Sequence, residues 1–405
     1  MSRRAGPLAL LVTALCAATS ACRGAPPAGQ ARTASIAPLV DSLLPAVERA
    51  AGLRFRAKPR AVVRSREEVK AFLLRQFARD LPAARLRGLT GAYRLFGLLP
   101  DSLDLGALAL QLYGDQVAGY WDHEAGVLVG VEGADAQQLR LVLAHELVHA
   151  LQAQDVPVDS ILRDRSDADR TAAAQAVLEG QATVAGVLAI LPDTLTADAG
   201  FWDAYREQVV GAREASAALR AAPRVLRVGL LFPYLEGAEF MRWWRRTHGA
   251  APPFGAAMPR STEQILHPAR SLDRDPPRAL ALQLRDAGGR TLEPLYSDVL
   301  GEFEVRLLSD EIAGTNLERA AVPLGWGGDR YALVATPGGD ALAWAIAFDD
   351  AAARDRAGAL ITALGARTRA GYRSRIEFRD VGGLPAVVWL FAPTGAALEV
   401  AVTVR

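Results

Sequence analysis

Two histidines and a glutamate in this chain have the spacing of a catalytic metal site. They lie in the segment His145-Glu146-Leu147-Val148-His149, which has the pattern HExxH. At ~100° per residue, His145 and His149 lie on one face of a helix, one turn apart, so that both imidazoles can bind the same ion. Glu146 lies ~60° from His149 around the helix axis, where it can reach a water on that ion without binding the ion itself. The segment therefore predicts a zinc-dependent hydrolase.

The helix that carries this motif is predicted from about residue 136 to 154. Its sequence LRLVLAHELVHALQ is apolar nearly all round, which is typical of a buried helix. Burying three ionisable side chains without partners is costly, and a zinc ion with its water would satisfy all three. The alternative is a chance match in which both histidines are structural.

Glu179, thirty positions beyond His149, is the predicted third metal ligand. It lies in a second predicted helix, about residues 171–191, whose sequence is otherwise almost uncharged. A lone carboxylate in such a helix needs a partner, which is either zinc or an arginine. Two histidines and one glutamate leave a fourth position open, as in catalytic zinc sites. Rival ligands are aspartates in a loop predicted to be solvated: Asp155, Asp159, Asp164, Asp167 and Asp169.

At these residues the chain resembles the gluzincin class of zinc metallopeptidases, in which HExxH is followed by a distant glutamate as in thermolysin. It is similar more closely to a family of uncharacterised exported bacterial proteins. The segments that carry this similarity are GYWDHEAGVLVG, LAHELVHALQAQ, VLEGQATVAG, LLFPYLEGAEF, PRSTEQILHP, GE at 301–302 and GWGGDRYALV. The resemblance implies zinc ligation by His145, His149 and Glu179, with Glu146 as the general base in peptide-bond hydrolysis.

One departure from the family concerns the zinc environment. The family often has an aspartate two residues after the ligand glutamate, where this chain has Gln181. If that aspartate orients a ligand histidine, its absence weakens metal binding or moves the role to another residue.

The main hypothesis is an exported zinc metallopeptidase. A catalytically degenerate lipoprotein that acts in binding or envelope assembly is the alternative, and a zinc hydrolase of non-peptide amides is the least favoured.

Two residues are candidates for stabilising the oxyanion of the reaction. Tyr234 follows the glutamate helix, where gluzincins often supply such a residue, and His267 is the alternative donor.

Two extended runs, 117–121 and 127–131, flank a polar turn and predict a β-hairpin, with His123 exposed in the turn. The class implies that strand 127–131 is an edge strand above the zinc helix, where a peptide substrate adds by β-augmentation.

Charge and cysteine usage exclude other kinds of site. The net charge is +1, so the whole-chain basic field expected of a nucleic-acid-binding protein is absent. Both cysteines lie within the first 22 residues. Any metal site in the body of the protein must therefore use histidine, aspartate or glutamate.

The N-terminus has the features of a signal peptide. Arg3 and Arg4 precede an apolar run at 8–18, small residues and Cys22. This order resembles a bacterial lipoprotein signal, which predicts an exported protein anchored in the cell envelope through a lipid on Cys22. The alternative is plain secretion. Residues 23–35, rich in glycine, proline and alanine, are predicted to be a linker.

The remaining pattern predicts an α+β protein of two domains. Residues 36–280 form a mainly helical, gluzincin-like zinc-peptidase domain with a small sheet or hairpin. Apolar spacing predicts a helix over 36–53, residues 61–64 predict a short strand, and Ser65 with Glu68 predicts a capping box that begins the next helix. Further helices are predicted at about 82–97, 102–114, 197–220 and 235–247. Residues 281–405 form a smaller α+β domain of unknown role, with five strands after residue 330 and one helix at about 350–365. The Gly-rich run 325–330 is interpreted as a tight turn before this sheet, and not as a phosphate loop.

Overall fold

The computed structural model describes residues 35–108, 118–162, 167–214, 216–272, 275–319 and 324–405. Its secondary structure is 52% helix and 22% strand, with three small sheets, which confirms the mixed α+β class. The predicted signal peptide, Cys22 and all but the last residue of the predicted linker lie outside the described residues.

The N-terminal part follows the predicted elements. Helix α1 (Ala37–Ala51) is followed by strand β1 (Arg60–Arg64) and by helices α2 (Arg66–Asp80) and α3 (Ala83–Phe96). Ser65 and Glu68 form the predicted capping box at the start of α2, with each side chain accepting from the other residue's backbone N–H. Of a further helix predicted at about 102–114, residues 102–108 are described, and of these 105–108 are helical.

The predicted hairpin is present, but the prediction that strand 127–131 is an edge strand is wrong. Strands β2 (Gly119–Asp122) and β3 (Val127–Val131) pair antiparallel, and β3 also pairs in parallel with β1. The strand order is β1-β3-β2. Because β3 is hydrogen-bonded on both sides, β1 and β2 are the outer strands of this sheet among the described residues, and β2 is the one that packs on the HExxH helix.

A helical section carries the predicted metal ligands. Its helices are α4 (Ala136–Asp155), α5 (Val158–Leu162), α6 (Ala168–Ile190), α7 (Asp193–Thr196), α8 (Ala199–Glu214), α9 (Ala217–Ala221) and α10 (Arg224–His248). The predicted start of the last helix at residue 235 is wrong, because α10 continues through Pro233 and begins at Arg224. The segment 155–169, predicted to be a loop, contains the short helix α5.

Helix α6 is the centre of this section and packs against α1, α4 and α10. By length and composition it is the one described helix able to cross a membrane. However, 78% of its most apolar window is buried inside the protein, as in a core helix. Its polar residues therefore face other parts of the chain.

The rest of the chain contains the other two sheets. Short helices α11 (Thr262–Leu266) and α12 (Pro268–Ser271) precede strands β4 (Leu280–Asp286), β5 (Thr291–Leu292) and β6 (Tyr296–Asp298), and then helix α13 (Gly301–Ala313). After these come β7 (Trp326–Thr336), β8 (Gly339–Phe348), α14 (Ala351–Arg356), α15 (Gly358–Gly365), β9 (Tyr372–Val381), β10 (Leu384–Pro393) and β11 (Leu398–Val404). The predicted single helix at 350–365 is two helices.

The sheet orders show how these strands are arranged. One antiparallel sheet has the order β6-β7-β8-β10-β9, and the other has the order β11-β4-β5. The interpretation of residues 325–330 as a turn is wrong, because Trp326–Arg330 open strand β7 with a bulge between Trp326 and Gly328. The backbone of Gly328, at φ +147°, accommodates this irregularity.

One hydrophobic core joins helix α3 and the helical section to the larger sheet. The ring of Phe96 at the end of α3 packs edge-on against Tyr331 and Trp344, with centroids 5.3 and 5.6 Å away. All three side chains are at most 1% exposed. The division into domains at residue 280 stays a prediction, and the packing across that position is extensive and apolar.

Candidate metal centre

The three predicted ligands meet between helices α4 and α6. The Nε2 atoms of His145 and His149 lie 3.1 Å apart, and they lie 3.2 and 3.3 Å from Oε2 of Glu179. All three residues are buried. Glu179 contacts the two imidazoles and, in the described part of the chain, no arginine. The arginine partner considered as the alternative is therefore not found among the described residues, and the ligand role of Glu179 stays a prediction.

The donor set fits a zinc ion. Zinc is bound by imidazole nitrogen and carboxylate oxygen at about 2.0–2.1 Å in tetrahedral geometry, which separates neighbouring ligand atoms by about 3.3 Å. The three separations measured here, 3.1–3.3 Å, are close to that value. The three residues therefore form a group that can hold one metal ion.

Charge is shared unequally among the three groups. Burial opposes the charged form of each, and it lowers the pKa of His145. For His149 the nearby Glu179 carboxylate outweighs burial and raises the pKa to about 9. The same contacts hold the pKa of Glu179 well below its usual range, despite burial. At neutral pH and without metal, these shifts favour a proton on His149, paired with the Glu179 carboxylate, over one on His145.

Glu146 lies beside this group but is not one of its ligands. It is 1% exposed, and its Oε2 accepts a hydrogen bond of 2.9 Å from the backbone N–H of Trp121 on β2. Its Oε1 is buried without a hydrogen-bond partner among the described residues. Burial raises the pKa of Glu146 to about 8. One carboxylate oxygen is thus anchored to β2, and the other is not.

Small residues allow the two ligand helices to approach closely. A Cβ atom on Gly186 of α6 would lie 3.2 Å from both the backbone N and the Cα of His145. That distance is tighter than most Cβ contacts, so a larger residue would push α4 away. Glycine at this position therefore helps to bring His145 within reach of Glu179.

Tyr234 also reaches the site, whereas His267 does not. Tyr234 on α10 is fully buried, and its ring stacks on that of His145 with centroids 6.1 Å apart and planes at 24°. His267 instead contacts Glu302 and Arg306, with its Nε2 3.1 Å from Oε1 of Glu302 and from Nη2 of Arg306. The structure thus places one oxyanion candidate beside a ligand and the other in a separate cluster. The oxyanion role itself stays a prediction.

Two expectations of solvent exposure are wrong. His123 is partly buried next to Trp121, and burial together with the nearby His149 lowers its pKa to about 4. Asp169 is 2% exposed, and its Oδ1 accepts from the backbone N–H of Thr262 at 3.0 Å. Asp169 therefore serves in packing and is not a rival metal ligand.

Sequence reasoning missed Gln152. Its Oε1 lies 2.8 Å from Nδ1 of His149, on the side of the imidazole away from the other ligands. Gln181, noted only as a departure from the family, contacts Gln152 and not a histidine. A signal was available, because position 152 follows His149 by three residues and so lies on the same helix face.

The segments PRSTEQILHP, GE at 301–302 and GWGGDRYALV meet in a second buried polar cluster, which contains Asp169 and Asp329. Asp169 binds Thr262, and Asp329 accepts from the backbone N–H groups of Leu300 and Gly301 at 3.0 and 2.9 Å. Gly301 has φ +73°, and a Cβ there would lie 1.8 Å from Oδ1 of Asp169. These segments therefore join the helical section to the larger sheet.

No protein-family model, curated protein sequence or solved structure matches this chain.

Proposed function

We propose that this protein is a zinc-dependent metallopeptidase of the gluzincin type. The observation that carries the proposal is the convergence of three ligand atoms from two apolar helices, beside a buried carboxylate that is not a ligand. Two imidazoles and one carboxylate leave an open position, which is the arrangement of catalytic rather than structural zinc. The gluzincin-like character of the helical section is part of this proposal.

His145, His149 and Glu179 would hold the ion, which when bound supplies a Lewis acid that activates water and polarises the scissile carbonyl. The chain itself supplies the proton transfers. Glu146 would accept at Oε1 a proton of the attacking water while Trp121 holds its Oε2, and it would then pass that proton to the amine released when the peptide C–N bond breaks. Burial of the site excludes bulk water from these groups. Tyr234, stacked on His145, is the proposed donor to the oxyanion.

The sheet beside Glu146 favours an extended peptide as substrate. Strand β2 is the edge strand on this side of the first sheet, and the backbone N–H of Trp121 on β2 is bonded to Glu146. A peptide that aligns along β2 would therefore pass the proton-transferring carboxylate. The N-terminal sequence adds the proposal that the enzyme is exported and anchored through a lipid on Cys22.

Metal analysis and turnover together test this function. We expect about one zinc per chain after purification without chelator, and fewer than ~0.3 would overturn the proposal. With a broad peptide library, Glu146→Gln should lose ~10²–10⁴-fold in turnover while keeping its zinc. Glu132→Gln, an exposed change between β3 and α4, is the matched control and should keep full turnover.

A degenerate peptidase that acts as an envelope binding protein is the second candidate. Gln181, at the position where the similar family often has an acid, favours it. Equal, near-zero turnover of the zinc-loaded wild type and Glu146→Gln would support this candidate. Turnover of small amides but not of peptides would instead support a non-peptide amidase.

A further inference from the structure

The side chains of Gln152 and Gln181 form a chain of hydrogen bonds behind His149. Gln152 is 1% exposed and Gln181 is 2% exposed, so neither amide relies on solvent for its partners. Nδ1 of His149 lies 2.8 Å from Oε1 of Gln152. Nε2 of Gln152 donates to Oε1 of Gln181 at 3.0 Å, and Nε2 of Gln181 donates to the backbone oxygen of Ala51 at 3.0 Å.

Two backbone carbonyls determine the direction of this chain. Nε2 of Gln152 also donates to the backbone oxygen of Leu178 at 2.8 Å. A carbonyl oxygen accepts and cannot donate, so the amino groups must face Ala51 and Leu178. Flipping either amide would place oxygen against oxygen in a buried site, at the cost of lost hydrogen bonds. Oε1 of Gln152 is therefore held toward His149.

We infer that this relay orients His149 as a zinc ligand, with Gln152 as the positioning residue and Gln181 as its support. Since Gln152 presents an acceptor, Nδ1 of His149 must carry a hydrogen. When the imidazole is neutral, the lone pair is then on Nε2, the atom that faces His145 and Glu179. An outer hydrogen bond of this kind sets the tautomer and ring orientation of a metal-ligating histidine. The inference rests on the proposed zinc function.

The same geometry gives Gln181 a role that a carboxylate at this position could not fill. Its side chain reaches Gln152 and not an imidazole, so the group facing His149 is the amide oxygen of Gln152. An acid at 181 can accept from Gln152 but cannot donate to Ala51. In this chain the acceptor for the histidine is thus neutral, and it is supported from α1 and α6.

The zinc dissociation constants of two variants at one position test the inference. Gln152→Met keeps the length of the side chain but removes the acceptor, and it should weaken zinc binding ~10–100-fold in competition with a chelator. Gln152→Glu keeps an acceptor facing His149 but loses both donated bonds. It should unfold at a lower temperature than wild type and yet bind zinc more tightly than Gln152→Met. A purely structural role predicts no such rescue.

Gln154→Met is the matched control. Gln154 lies on the same helix and forms three hydrogen bonds with the backbone of Arg56 and Ala57, away from the ligands. This control should lose stability without losing zinc affinity, and its cobalt-substituted form should keep the visible spectrum of wild type. Gln152→Met should change that spectrum.

The outcomes separate the two proposals. Wild-type affinity in Gln152→Met, or an equal loss of affinity in Gln154→Met, overturns the relay and leaves the zinc site intact. A wild-type protein that binds no zinc overturns both.

Discussion

A Cβ atom on Gly180 of α6 would lie 2.1 Å from the backbone oxygen of Gly237 on α10. The contact is reciprocal, since a Cβ on Gly237 would lie 2.1 Å from the backbone oxygen of Ala176. The two helices thus touch backbone to backbone immediately beside Glu179. Neither clash can be relieved by rotating a side chain, so any larger residue must move a helix.

Gly180→Ala is therefore expected to lower the free energy of unfolding by ~1–3 kcal/mol, the usual cost of overpacking. Denaturant unfolding of metal-free protein measures this change. Gly229→Ala, in α10 with nothing within 4 Å of its Cβ position, is the control and should raise stability by ~0.5–1 kcal/mol. A Gly180→Ala protein as stable as Gly229→Ala would show that the helices separate without cost.

Zinc should stabilise the folded protein, because the three ligands come together only in the native state. A ligand that binds only the native state at ~100 times its dissociation constant adds ~2.7 kcal/mol. The unfolding temperature should rise with added zinc and fall with a chelator, and His149→Ala should abolish this response. His248→Ala, at an exposed histidine that ends α10, should keep it. A response that survives in His149→Ala would place the zinc at another site.

Glu304 should make stability fall as the pH rises. Burial raises the pKa of Glu304 to about 8, although Tyr93 donates a hydrogen bond of 2.7 Å to its carboxyl oxygens. Between its unfolded pKa of about 4.5 and about 8, the folded state holds a proton that the unfolded state has lost. The contribution of Glu304 to stability is therefore full at low pH and decreases through this window.

Glu304→Gln keeps an acceptor for Tyr93 and cannot ionise. Its stability relative to wild type should therefore increase from pH 5 to pH 8, as measured by denaturant unfolding at each pH. Glu311→Gln removes an exposed charge from the same helix and should not change the slope. Parallel pH curves for wild type and Glu304→Gln would contradict the assignment.

Asp329 should be essential for joining the helical section to the larger sheet. It is 1% exposed and accepts from the backbone N–H groups of Leu300 and Gly301 and from the indoles of Trp326 and Trp344. Asp329→Ala would leave four buried donors without an acceptor and should cost at least ~3 kcal/mol in unfolding free energy. The exposed change Asp355→Ala should stay within ~0.5 kcal/mol of wild type. A similarly small effect of Asp329→Ala would mean that the donors find other partners.

Local patterns predicted several of the helices. The capping box of Ser65 and Glu68 marks the start of α2, because both of its hydrogen bonds join residues only three positions apart. The spacing of HExxH likewise brings His145 and His149 together on one helix face. Such features depend on neighbours in the sequence, so periodicity and residue type are sufficient to find them.

Elements without a local pattern escaped prediction. Strands β4, β5 and β6 and helix α13 were not predicted, and the opening of β7 was interpreted as a turn. Gly325, Gly327 and Gly328 suggest a turn by composition, yet pairing with β8 and the buried contacts of Asp329 make the chain from Trp326 onward a strand. Here tertiary pairing outweighs the local preference of glycine.

By itself, the sequence determined the mixed α+β class, the HExxH helix and the candidacy of Glu179, because an isolated carboxylate in an apolar helix needs a partner. The tertiary structure alone decided which groups that partner comprises, that Tyr234 and not His267 reaches the ligands, and that Gln152 stands behind His149. The reason is that a buried polar group takes its partner from whichever helix packs against it. That choice depends on contacts between residues far apart in the chain, which local patterns do not record.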